Sequence, residues 1–215
     1  MPTYPTPEPI AVTVEVLSGA VTVVASDRTD TVVEVRPADA ARKGDIRAAQ
    51  QTRVDFAAGE LTVTTPKDWR TYSPFGGNPS IEVTIEVPTG SRLRGTAAVG
   101  RLLAIGGLGR CELEVAAGDI IVEGPRDSVT AKVAKGDIRI GEAARGVLRL
   151  ETSTGEVEVG ISAGSAVRLE ADALHGTVHN DMGPAGTAAR GDDVVQVRAR
   201  NSFGDIIIRH AATVR

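Results

Sequence analysis

From about residue 91 onward, apolar and polar residues alternate with a period of two, in short runs separated by glycine. That period predicts strands, and nothing in this half shows a helical period. One unit recurs: Gly100-Arg101-Leu102-Leu103-Ala104, Gly118-Asp119-Ile120-Ile121-Val122 and Gly136-Asp137-Ile138-Arg139-Ile140. It returns as Gly155-Glu156-Val157-Glu158-Val159, Gly176-Thr177-Val178-His179 and Gly204-Asp205-Ile206-Ile207-Ile208. Successive glycines are 18, 18, 19, 21 and 28 residues apart. A second alternating run precedes each glycine, as in Cys111-Glu112-Leu113-Glu114-Val115.

Aligned on the glycines, the repeats form columns. Seven residues before each glycine stand Cys111, Val129, Leu148, Leu169 and Val197, and five before it Leu113, Ala131, Leu150, Ala171 and Ala199. Two and four residues after it stand Ile120/Val122, Ile138/Ile140, Val157/Val159 and Ile206/Ile208. Like residues stacked from one unit to the next would build a narrow aliphatic core. Between these columns lie charged ones, in which Glu114, Lys132 and Glu151 form a ladder of alternating sign and Arg139 falls beside Glu158. The expected fold is all-β: a single-chain β-solenoid, β-helix-like, with about 18 to 21 residues per repeat, each glycine turning a corner. Hairpins of a stacked antiparallel sheet are the alternative.

The first 90 residues are less regular. Residues 1–9 carry four prolines and read as an extended arm. Residues 10–90 read as an N-terminal β region, with strands at Ile10–Leu17, Val21–Ala25, Thr31–Arg36, Val54–Phe56, Leu61–Thr65 and Ile81–Val87. A short helix is expected between Ala38 and Gln51, weakened by Gly44. Residues 91–215 hold the repeats, continuous with 10–90 as one domain. Open solenoid ends expose strand edges, so the irregular N-terminal part and the last repeat, with its Gly183–Asp193 insertion, are expected to serve as caps.

Composition narrows the function. Lys and Arg number 24 against 28 Asp and Glu, a formal charge of -4, which disfavours a nucleic-acid partner. The one cysteine, Cys111, rules out an intramolecular disulfide framework and a cysteine zinc site. No apolar run reaches the roughly 18 residues that span a bilayer, and the first residues lack a signal-peptide pattern. A cytoplasmic protein without direct membrane insertion is expected.

The Gly-Asp-Ile-x-Ile/Val units, the run Val133-Ala134-Lys135-Gly136-Asp137-Ile138-Arg139-Ile140-Gly141 and the tail Val197-Arg198-Ala199-Arg200-Asn201-Ser202-Phe203-Gly204-Asp205-Ile206 resemble a bacterial β-strand-repeat domain of unknown function. This is the domain labelled "putative adhesin", also called the toastrack family. The resemblance covers most of the chain and is strongest from about Gly95 to Ala211. It implies stacked-sheet or solenoid repeats and a link to adhesion or cell-envelope stress. The family has no agreed catalytic residues, so none is carried over.

Candidate chemistry is sparse. The acidic corner column Asp119, Asp137, Glu156 and Asp205 lacks the calcium β-roll nonapeptide, and its simplest role is to cap backbone N–H groups. His175 and His179 would lie too far apart on a strand to share a metal. Ser18, Ser128 and Ser165 sit near turns, and Arg190-Gly191-Asp192 reads as a chance tripeptide. Two surfaces stand out as partner-binding candidates: the aromatic loop with Trp69, Arg70, Tyr72 and Phe75, and the outward apolar residues Leu103, Ile121 and Ile207. The expected function is a non-enzymatic scaffold or adaptor that binds a protein partner or forms a homo-oligomer, with no metal or cofactor. The alternative is a glycan-binding or carbohydrate-active protein using the aromatic loop at 66–80.

Overall fold

The computed structural model describes residues 1–66, 79–182 and 194–211. In chain order its elements begin with β1 (Thr3–Pro5), β2 (Ala11–Ser26), β3 (Asp30–Pro37), α1 (Lys43–Gln51), β4 (Arg53–Ala57), β5 (Glu60–Thr64) and β6 (Ile81–Pro88). They continue with β7 (Arg92–Gly106), β8 (Cys111–Glu123), β9 (Val129–Lys135), β10 (Ile138–Ala143), β11 (Gly146–Thr154) and β12 (Val157–Ile161). The last are β13 (Ala166–His175), β14 (Val178–Asn180), β15 (Val194–Phe203) and β16 (Ile206–His210). The described residues are all-β apart from α1, and their sixteen strands join in one large sheet that does not close on itself.

The repeats pair in parallel and in the register of their columns. Leu93 faces Cys111, Cys111 faces Val129, and Val129 faces Leu148. Beyond the glycine, Leu102, Ile120, Ile138, Val157 and Ile206 follow one another in the same way. Both columns are buried, from Leu93 to Val197 and from Leu102 to Ile206. Antiparallel hairpins are therefore not how the repeats pair.

The corner glycines stack directly. A Cβ on Gly118 would lie 1.8 Å from the carbonyl oxygen of Gly100, and one on Gly100 would lie 1.8 Å from that of Gly19. The series continues through Gly136, Gly155, Gly204 and Gly176, each against the glycine of the neighbouring repeat. Gly19 extends the column into the region that looks irregular in sequence. The strands expected at Ile10–Leu17 and Val21–Ala25 are one strand, β2, passing through Gly19 at a φ of +149°. β2 is thus a repeat in its own right, pairing along its whole length with β7.

On the far side of β2 the sheet changes character. β5 and β6 pair with it in parallel, while β4 and β3 run antiparallel outside them. Thr3–Pro5 of the proline-rich arm pairs with β3, and Tyr4 stacks on Phe56 with ring centroids 4.8 Å apart. Helix α1 packs beside β3 and β6. Buried Asp45 in its first turn accepts the N–H groups of Asp39 and Ser80 at 3.2 and 3.1 Å. Gly44 also falls in that first turn, where its low helix propensity matters little.

The other end differs from the sequence expectation. The last repeat is not outermost: β15 and β16 lie between β11/β12 and β13/β14. The reason sits in the column four residues after the glycine. There Ala104, Val122, Ile140, Val159 and Ile208 are buried, whereas the 166–180 repeat offers Asn180, which is exposed. An amide in that column would lose its water without a partner, so this repeat belongs at the edge. The Gly183–Asp193 insertion expected to help cap this end lies outside the described residues.

Candidate functional site

The outward columns show what the polar side chains do. At the corners, Asp137 Oδ1 accepts the Glu156 N–H at 2.8 Å, and Asp119 and Asp205 accept those of Asp137 and Thr177 at 3.2 and 2.7 Å. Each aspartate thus caps the next repeat. Asp137→Ala is expected to cost about 1 kcal/mol in chemical denaturation, while Asp137→Asn, which keeps the acceptor, should cost less. Beneath the corner, Asn201 Nδ2 and Thr152 Oγ1 donate to the carbonyls of Gly155 and Gly136 at 2.8 and 3.0 Å.

Charged groups also bind across repeats. Lys132 lies 3.8 Å from Glu151, Arg94 2.8 Å from Glu112 and Arg198 3.1 Å from Glu170. Glu114 faces Lys132 in register, and Arg200 stands between Glu151 and Asp172. The expected ladder therefore extends in spatial order as Glu114, Lys132, Glu151, Arg200, Asp172. The outer face of β9, β11, β15 and β13 is concave there, a space of about 510 Å³ bordered by Lys132, Arg149, Glu151, Asp172 and Arg200.

Glu158 is the most enclosed partner. Arg139 Nε donates to it at 2.6 Å and Arg209 Nε at 2.6 Å. Burial raises the proton affinity of Glu158, but the two guanidinium groups outweigh it and hold the carboxyl below its ordinary value. With the folded value lowered, this carboxylate stabilises the fold above its ordinary value of 4.5, and that contribution is lost as pH falls through the lower folded value. Thermal melts should therefore weaken below about pH 4.5, and Glu158→Gln should flatten that dependence while costing about 1 kcal/mol at neutral pH.

Reactive groups are muted. Cys111 is buried in a core column, and desolvation, with Asp127 nearby, pushes its thiol up to about 12. It is protonated at neutral pH. His175 and His179 flank the Gly176 corner on β13 and β14, and the His175 ring stacks on Phe203 with centroids 4.7 Å apart. No group of three metal-ligating side chains forms among the described residues. Ser128 accepts the Val147 N–H at 3.2 Å, Ser165 donates to the Ala144 carbonyl at 2.8 Å, and Ser18 borders an apolar hollow of about 190 Å³ beside α1 with Leu17, Ala48 and Val99.

Of the partner-binding candidates, Trp69, Arg70, Tyr72 and Phe75 lie outside the described residues, as does Arg190-Gly191-Asp192. Leu103 and Ile121 are neighbours in register and half-buried. Ile207 shares their column but is separated from them by Arg139 and Glu158, so the three form no single patch. A different surface emerges at the outer end of the repeats. Leu174 is 70% exposed, Phe203 55%, and Val178 and Val194 38% each. Leu174, Val178 and Phe203 flank the neighbouring Gly176 and Gly204 corners, whereas Val194 lies at the far end of β15, opposite Ala166. The other exposed large apolar side chains among the described residues are Met1 and Val99. Sequence columns built from inward residues alone pass over Leu174 and Phe203, which flank the corner.

No helix among the described residues is long and apolar enough to cross a membrane. No family model matches the chain, and no curated protein does. Among solved structures, a putative cell adhesion protein from Clostridium sporogenes is similar at 12% identity and a TM-score of 0.48, over 97% of this chain and 98% of that one. A putative lipid binding protein from Parabacteroides distasonis is similar at 12% identity and a TM-score of 0.40, over 95% of each chain. A putative adhesin from Bacteroides fragilis is similar at 10% identity and a TM-score of 0.33, over 96% of this chain and 95% of that one.

Proposed function

We propose that the chain is a non-enzymatic β-solenoid scaffold of the kind labelled putative adhesin, which presents its outer end to a protein partner or a second copy. The observation that carries this reading is the group of exposed apolar residues Leu174, Val178 and Phe203, which flank the neighbouring Gly176 and Gly204 corners. Exposed apolar side chains gathered in one place favour association, because burying them removes apolar surface from water. The solenoid reading is supported by parallel repeats, in-register inward columns and the glycine stack. The scaffold reading is supported by the use of the outward polar groups: carboxylates cap backbone N–H groups or meet basic side chains of the next repeat.

The test compares wild type with Leu174→Ser/Phe203→Ser by sedimentation velocity. Both side chains are exposed, so the double variant should keep its melting temperature while weakening association. Association that leaves the amides of 166–180 and 194–210 unprotected in hydrogen exchange, or enzymatic turnover of an oligosaccharide by the wild-type protein, would contradict the proposal.

A further inference from the structure

We propose that β13 is a self-pairing edge: two copies of the chain join their β13 strands antiparallel about a two-fold axis through Leu169. This deepens the scaffold reading and rests on it, because it names the partner as a second copy and the surface as one strand.

Two observations lead there. First, the two ends of the sheet are finished differently. At the N-terminal end the parallel repeats give way to antiparallel strands. At the other end β13 pairs with β15 only, and among the described residues no strand lies beyond it. The backbone groups on that side form a template for another strand. Its inward residues Val167, Leu169, Ala171 and Ala173 are only half-buried, whereas their counterparts Val195, Val197 and Ala199 on β15 are buried.

Second, the charges on β13 select one register. Arg168, Glu170 and Asp172 point outward and are exposed, between the inward apolar residues. In an antiparallel pair, directly opposed residues share a face, so the registers that keep inward residues together are centred on single residues. Centring on Arg168 opposes Arg168 to itself, and centring on Glu170 does the same to Glu170. Centring on Ala171 sets Glu170 against Asp172. Centring on Leu169 sets Arg168 against Glu170 of the second copy, twice by symmetry, with no like charges opposed. It also places Leu169 on Leu169 and Val167 on Ala171, which continues the core across the joint. The interface is isologous and closed, so it yields a dimer rather than a fibre.

The test is a charge swap read by sedimentation equilibrium. Wild type should dimerise at concentrations up to about 100 µM. Arg168→Glu puts a second carboxylate opposite Glu170, and Glu170→Arg puts a second guanidinium opposite Arg168. Each should weaken dimerisation by about tenfold or more. An equimolar mixture of the two should recover it, because each chain then meets opposite charge, and so should the double variant Arg168→Glu/Glu170→Arg. Should a single variant fold poorly, hydrogen exchange on wild type supplies an independent reading: amides of residues 166–174 gain protection as concentration rises. A wild-type monomer throughout this range, or a dimer indifferent to the charge reversals, overturns the proposal. Neither outcome touches the scaffold reading, which fails instead on enzymatic turnover in the same samples.

Discussion

Gly118→Ala is expected to cost at least about 4 kcal/mol and to leave little folded protein, because ordinary stabilities are about 5–15 kcal/mol. The added methyl would stand 1.8 Å from the Gly100 carbonyl oxygen and 2.7 Å from its carbon. Both atoms belong to a strand held on either side, β7 between β2 and β8, so neither can swing away. The backbone at Gly118 also has a φ of +132°, which an L-residue avoids. Gly124→Ala separates these two effects. Gly124 has a φ of +65° but nothing within 4 Å of where a Cβ would sit, so alanine there should cost only about 1 kcal/mol. The comparison is made by urea denaturation of the three proteins. Equal losses at the two sites would mean that the stacked corner contributes nothing of its own.

The second large effect is Ile138→Ala, expected to cost about 4 kcal/mol. Ile138 is fully buried in the middle of its column, between Ile120 and Val157, with Ile140 two residues on. Strands on both sides prevent collapse around the deleted atoms, so a cavity remains. Leu169→Ala removes a comparable volume from the edge strand, where the side chain is half-buried, and should cost about 1 kcal/mol. Chemical denaturation of both variants reads this gradient from the centre of the sheet to its edge.

Much of this was legible in the sequence, and the parts that were not have definite causes. The inward columns and corner glycines follow from a period of two and a repeat near 18 residues, and the pairing of Leu113 with Ala131 and of Ile120 with Ile138 follows them. Gly19-Ala20-Val21-Thr22-Val23 has the same form as the later units, yet the segment from β3 to β6 separates it from Gly100. Spacing alone therefore hides it. The order of the last two repeats is hidden too, because counting along the chain makes neighbours of successive units. Asn180 in an otherwise aliphatic column was the available signal. The same reordering explains the second partner of Glu158. Arg139 sits one repeat before it, as the spacing implies, whereas Arg209 comes from a unit that the chain reaches only after β13 and β14.

The candidate site was less legible than the fold. Leu103, Ile121 and Ile207 share a column in the alignment, but two charged residues part them in space. Leu174 and Phe203 sit beside the corner, where neither the inward nor the outward alternation applies. Leu174 is on the edge strand β13, and Phe203 is at the end of β15 opposite His175, a neighbourhood set by the topology and not by order along the chain.

Native-state hydrogen exchange on dilute wild-type protein tests the strand order, on which both the scaffold and its open edge depend. The amides of 194–210 are expected to exchange as slowly as those of β11 and β12, since they lie between two neighbours, and those of 166–180 should exchange fastest among the repeats. Slow exchange at 166–180 together with fast exchange at 194–210 would place the last repeat at the edge and contradict the architecture described.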